Sequence, residues 1–247
     1  MTQQIWVLDR GDEALPFCVQ TIGKNGSTRL HKWLNHYGFT NSRWDFVCNH
    51  DTYKHFPTYV FIQDPIDKFV KGFAEIISNL RPAYAVGAIN DAPQVITATQ
   101  SSEHIIFKEI ISKMPIDTID EFLLQFLKRL DMYMYDYHLR LQVGILAELS
   151  AFNLKYETLT INDIDNFHNI VKEKHAQHFA ERVDGLASGL IPIDPERVED
   201  PDRQLIEERV HKVLVDHIDG ELSAVREYLL PDLGLWDLLN QQDPSAF

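Results

Sequence analysis

Phe17-Cys18-Val19-Gln20-Thr21-Ile22-Gly23-Lys24-Asn25-Gly26-Ser27-Thr28-Arg29-Leu30 is an apolar run that breaks into small polar residues and then opens a helical pattern. Residues 17–22 read as a buried strand, and Gly23 to Arg29 as a turn that leads into a helix. In that helix Leu30, Trp33, Leu34 and Tyr37 share one face, and Gly38 supplies the stop. A strand that passes through such a turn into a helix N-terminus makes an anion site, because unpaired N–H groups and the helix dipole point the same way. Gly26 admits close approach of a phosphate, and Ser27 and Thr28 add hydroxyl donors. The lysine precedes the second glycine, so the loop does not have the order of a Walker A motif.

The unit is then repeated. Thr58-Tyr59-Val60-Phe61-Ile62 reads as a second strand, running into Gln63-Asp64-Pro65-Ile66-Asp67-Lys68-Phe69-Val70-Lys71-Gly72-Phe73. Asp64 caps a helix whose first position is Pro65, where a missing N–H costs nothing. Ile66, Phe69, Val70, Phe73 and Ile77 form the apolar stripe, which leaves Lys68, Lys71 and Glu75 on or near the other side. Two units in succession, each with lysine, suggest a ligand with two separate anionic groups.

Farther along, residues 81–103 hold Pro82, Gly87 and Pro93 without a sustained period and read as a long loop. Thr118-x-x-Glu121 is a capping box ahead of an apolar helix, and Thr160 opens another helix through Ile164, Phe167 and Val171. Residues 185–203, rich in proline and acid, read as a surface linker. Leu205, Val210, Val213, Leu214, Ile218, Leu222 and Val225 outline one long amphipathic helix. A strand–helix alternation followed by mostly helix favours a single α/β domain over residues 1–247, with a short parallel sheet and a helix-rich C-terminal half. Ligands of such sheets bind beyond the carboxyl ends of the strands, where both turns would sit.

These segments resemble the PAPS-dependent sulfotransferases, the carbohydrate (Golgi-type) branch in particular. The family's phosphosulfate loop resembles Pro-Lys-x-Gly-(Ser/Thr)-Thr-x-Leu, which Gly23 to Leu30 matches from the lysine onward, with Gly23 in place of the proline. Its second signature resembles Arg-Asp-Pro-x-x-Arg-x-x-Ser-x-(Tyr/Phe). Residues 63–73 match the Asp, Pro and final aromatic but carry Gln63, Lys68 and Lys71 at the other three places. A third echo, of Asp-x-His-x-x-x-Gln and the strand after it, is Asp136-Tyr137-His138-Leu139-Arg140-Leu141-Gln142 followed by Phe152 to Leu159. The likeness spans about residues 15–170.

The resemblance implies a P-loop-like sulfotransferase fold and sulfuryl transfer from 3′-phosphoadenosine 5′-phosphosulfate (PAPS) to a hydroxyl or amine of a small-molecule or glycan acceptor, without a metal. Lys24 would stabilise the bridging oxygen as it leaves, and the N–H groups of Asn25, Gly26, Ser27 and Thr28 would hold the 5′-phosphate. Gln63 and Lys71 stand where the family holds the 3′-phosphate. His50, after the expected strand Asp45-Phe46-Val47-Cys48, is the first candidate for the general base, with His138 and Glu75 as alternatives. Asp136 and His138 also read as a buried polar pair tying helix to sheet. Two other readings stay open. One is a non-catalytic module that binds an adenosine bisphosphate or another anion; the other is a small-molecule or nucleotide kinase.

Composition bounds the rest. A chain of 247 residues with 45% apolar content can bury one substantial core. Residues 1–80 hold eight basic and eight acidic side chains against chain totals of 23 and 37, so the net charge of −14 lies wholly beyond the two anion loops. An acidic remainder disfavours nucleic acid as a partner. No apolar run is long enough to span a bilayer and no basic leader is evident, so a soluble, cytoplasmic protein without a membrane partner is expected. Cys18 and Cys48 are expected to be buried thiols, and the eleven histidines show no metal-ligand spacing.

Overall fold

The structure, a computed structural model, describes residues 4–7, 17–22, 30, 31, 34, 40–41, 54–80, 120–129, 138–175 and 202–241. The protein is a mixed α/β chain that divides into two compact units, residues 2–63 with 142–195 and residues 64–141 with 196–247.

The first of these holds the sheet. Its strands are β1 (Gln4–Val7), β2 (Cys18–Thr21), β3 (Thr40–Asn41), β4 (Thr58–Ile62) and β5 (Tyr156–Thr160), in the order β3-β1-β2-β4-β5. β2, β4 and β5 are parallel, with Cys18 opposite Thr58 and Ile62 opposite Thr160. The expected short parallel sheet is therefore present, but β1 and β3 extend it antiparallel, a pairing the sequence reading lacked. β1 is four residues long and β3 two, too short for a period of two to register. β2 and β4 are buried at every position, and such strands read as continuous apolar runs.

Their inner face packs on the 3₁₀ segment Ile161–Asn166 and on the helix that follows it. Thr160, read as a helix start, donates from its N–H and its hydroxyl to Asp163 Oδ2, at 2.7 and 2.8 Å. Ile164, Phe167 and Val171 are buried as their spacing predicts. Phe17, Tyr59 and Phe61 surround Phe167 edge-on, with centroids 6.3, 5.4 and 5.1 Å away.

The second unit is helical. It contains α1 (Pro65–Leu80) and α2 (Asp120–Leu127); α3 (Gln142–Ala151) and α4 (Phe167–Lys174) belong to the sheet unit, and α5 (Arg203–His217) and α6 (Ser223–Gln241) return to the helical one. Phe69, Phe73 and Ile77 of α1 meet Phe126, Ile206, Val210 and Leu214 in its core. Phe73 lies edge-on to Phe126 at 5.6 Å. Each such side chain contributes about 1.5–3 kcal/mol on burial. The long C-terminal helix of the sequence reading is two helices. Residues 218–222 form a turn in which Gly220 and Leu222 both donate to His217 O, and the chain restarts at Ser223. Leu205 is exposed and Ile206 takes the buried place. The apolar spacing stays nearly in phase across the turn, so periodicity alone could not reveal the break.

Candidate functional site

β2 and β4 are neighbours running the same way, so the chain leaves both strands at one edge of the sheet. From β2 it passes Ile22 into residues 23–29. Lys24, Asn25, Gly26, Ser27 and Thr28, like His50, Asp136 and Cys48, lie outside the described residues. Residues on either side of that stretch are described. Leu30 and Leu34 are buried, in keeping with the expected apolar helix face. Thr21, the last residue of β2, has its hydroxyl 3.1 Å from His31 Nε2. Burial pushes the His31 ring down to about 4, so it is neutral near pH 7 and acts as a hydrogen-bonding partner, poorly matched to general base work. Cys18, deeper in the strand, is a buried free thiol pushed up to about 12, which makes it unreactive.

From β4 the chain enters the second turn, and here the atoms are on view. Asp64 caps α1 as its sequence predicts: its Oδ1 accepts from the N–H groups of Ile66 at 2.8 Å and Asp67 at 3.1 Å. The Lys68 N–H goes to Asp64 O at 2.9 Å, and Pro65 has no N–H to offer. The helix start is thus already occupied by a carboxylate of the protein itself. The two readings made of this turn, a capped helix and an open anion site, compete for the same donors.

The expected lysine pair does not share accessibility, although i and i+3 lie on one side of the helix. Lys68 is 2% exposed, and its Nζ donates to His138 O at 3.2 Å and Arg140 O at 2.6 Å. Lys68 does lie opposite the apolar stripe, but the helix is covered on that side as well: Gly72, one turn on, is also buried, so spacing alone could not show that this lysine is enclosed. Lys71 is the accessible one, 38% exposed, with its Nζ 4.0 Å from Asp67 Oδ2 one turn earlier. Glu75 is also no open base, since Arg203 Nη1 holds its Oε2 at 2.5 Å.

Gln63 is 2% exposed. Its N–H donates to Gln142 Oε1 and its carbonyl accepts from Gln142 Nε2, both at 2.9 Å. Gln142 imitates one more rung of a ladder at the end of β4, and sequence reasoning had given this residue no role beyond its place in the third echo. The signal available was a glutamine opening the helix Gln142 to Ala151 just ahead of the apolar run Val143 to Ala147. His138 is 4% exposed, which fits the buried polar reading better than that of a base meeting an acceptor. Its carbonyl lies 2.6 Å from where a side-chain Cβ would stand on Gly72, so this close approach requires glycine.

The chain matches no family model, no curated protein and no solved structure. Function therefore rests on the residues and their placement. Among the described residues no group of three or more His, Cys, Asp or Glu could hold a metal ion, and no helix is long and apolar enough to cross a membrane.

Proposed function

We propose that the protein transfers a sulfuryl group from PAPS to a hydroxyl or amine of an acceptor, with carbohydrate hydroxyls as one class. The observation that carries this is the parallel pairing of β2 with β4, so that the chain leaves both strands at one sheet edge, one toward residues 23–28 and the other into Asp64-Pro65. Crevices beyond the carboxyl ends of parallel strands are where such sheets bind ligands. In this reading Lys24 neutralises the bridging oxygen as it gains charge, and the N–H groups of residues 25–28 cradle the 5′-phosphate. The protein mainly positions and neutralises, and the attacking oxygen and leaving oxygen lie in line about sulfur. His50 takes the acceptor's proton, a role that the burial of His138 and the ion pair of Glu75 leave to it among the three candidates.

A non-catalytic anion-binding module is the second reading, favoured by the neutral Gln63 at the place where the resembled family carries arginine. Thermal unfolding with adenosine 3′,5′-bisphosphate, against ATP with Mg²⁺, separates these from a kinase, because a ligand of the native state raises Tm by mass action. Stabilisation by the bisphosphate is expected; stabilisation by ATP with Mg²⁺ alone would support a kinase. Lys24→Ala should lower turnover by about 10²- to 10³-fold at nearly unchanged Tm. Turnover near wild type in that variant would remove Lys24 from the chemistry.

A further inference from the structure

The sequence offers two strand–turn–helix units for two anionic groups, but the second unit uses its donors internally. The Gln63 N–H is bonded to Gln142, the Ile66 and Asp67 N–H groups to the Asp64 carboxylate, and the Lys68 N–H to Asp64 O. The Lys68 amine is buried on two backbone carbonyls. Lys71 faces the Asp67 carboxylate 4.0 Å away. Among the described residues, a phosphate arriving at this helix start would meet two carboxylates, Asp64 and Asp67, against one accessible lysine, Lys71. Like charges there cancel the gain that a helix dipole gives an anion.

We infer that the nucleotide is recognised through its adenosine 5′-phosphosulfate part, and that the 3′-phosphate adds little to binding. Adenosine 5′-phosphosulfate then serves as a sulfuryl donor alongside PAPS. This rests on the sulfuryl-transfer reading above and narrows its donor class. The acceptor oxygen forms a bond to sulfur while the bond from sulfur to the bridging oxygen breaks. The electron pair stays on that oxygen, which leaves as part of adenosine 5′-phosphate, and the acceptor proton passes to the base. Nothing is oxidised or reduced.

Titration calorimetry of the full chain with adenosine 5′-phosphate and with adenosine 3′,5′-bisphosphate tests the inference without knowledge of the acceptor. One charged hydrogen bond to a 3′-phosphate would be worth about tenfold or more in Kd. The expected result is a pair of Kd values within about fivefold of each other. A larger preference for the bisphosphate overturns the inference and leaves sulfuryl transfer standing, whereas binding of neither nucleotide overturns sulfuryl transfer itself. Asp64→Gly supplies a second readout, since glycine is a tolerable cap while two N–H groups are released and a carboxylate is removed. It should tighten the bisphosphate by about fivefold or more and leave the monophosphate unchanged. An equal response to both nucleotides overturns the inference, and if the variant does not fold the wild-type pair of Kd values still decides.

Discussion

The sheet unit and the helical unit meet the same difficulty with different chemistry. In the sheet unit β4 pairs with β2 on one side and β5 on the other, and the residue after β4 is met by the neutral amide of Gln142. In the helical unit the turn at residues 138–140 has three successive carbonyls, and each accepts from a side chain: Lys68 Nζ takes the first and third, and the Tyr228 hydroxyl takes the second at 3.0 Å. Burial and the nearby Asp232 push Tyr228 up to about 12, so it keeps its donor proton at ordinary pH. Buried backbone groups need partners, and the side chains that serve them are withdrawn from ligand chemistry. That is why two lysines three positions apart on α1 have opposite fates.

The comparison breaks most visibly at Lys68. Lys68→Met keeps the length of the stem and removes the donor from two buried carbonyls. It should cost roughly 2–6 kcal/mol, at about 1–3 kcal/mol for each group left unsatisfied. Urea unfolding measures it, and a loss below about 1 kcal/mol would mean that the 138–140 turn does not depend on this amine.

Gln142 is the counterpart in the sheet unit. Gln142→Leu removes both bonds to Gln63 and should cost about 2–3 kcal/mol. Gln142→Glu keeps an acceptor for the Gln63 N–H but sets a buried carboxylate against the Gln63 carbonyl, so near neutral pH it should cost more than Gln142→Leu. If the two variants are equally stable, the paired bonds are not what secures the end of β4.

The smallest expected effect sharpens the sheet unit's reliance on neutral groups. His31 titrates near 4 in the folded protein against an ordinary 6.5, so as pH falls the unfolded chain takes up the proton first. Its contribution is complete above about pH 6.5 and is lost as pH falls toward 4. The slope is at most about 1.4 kcal/mol per pH unit, giving about 1–2 kcal/mol of lost stability between pH 6.5 and 5 once partial exposure is allowed for. Comparing unfolding of wild type and His31→Gln across that range isolates the effect, and parallel curves would show that the ring is not held neutral.

Much of the candidate site's frame was legible because it depends on near neighbours in the chain. The run 58–62 followed by Asp64-Pro65 carried its own strand, cap and first turn, and each appears where expected. The helix start at Thr160 and the buried set Ile164, Phe167 and Val171 behaved likewise, although the first six residues after Thr160 are 3₁₀ and the α-helix begins at Phe167. What was illegible came from distant partners. Nothing near Gln63 announces that Gln142, 79 positions away, will close its peptide group. Nothing near Lys68 announces the carbonyls 70 and 72 positions on.

The sequence by itself determined the alternating strands and helices, the cap at Asp64 and the apolar faces, because propensity, capping and periodicity act within one or two turns of chain. Tertiary structure alone decided that β1 and β3 pair antiparallel, that Lys68 is buried while Lys71 is accessible, and that the second turn is filled by Asp64 and Gln142. The physical reason is that an unpaired backbone group is satisfied by whichever donor packing brings to it, and packing joins residues that local sequence cannot relate.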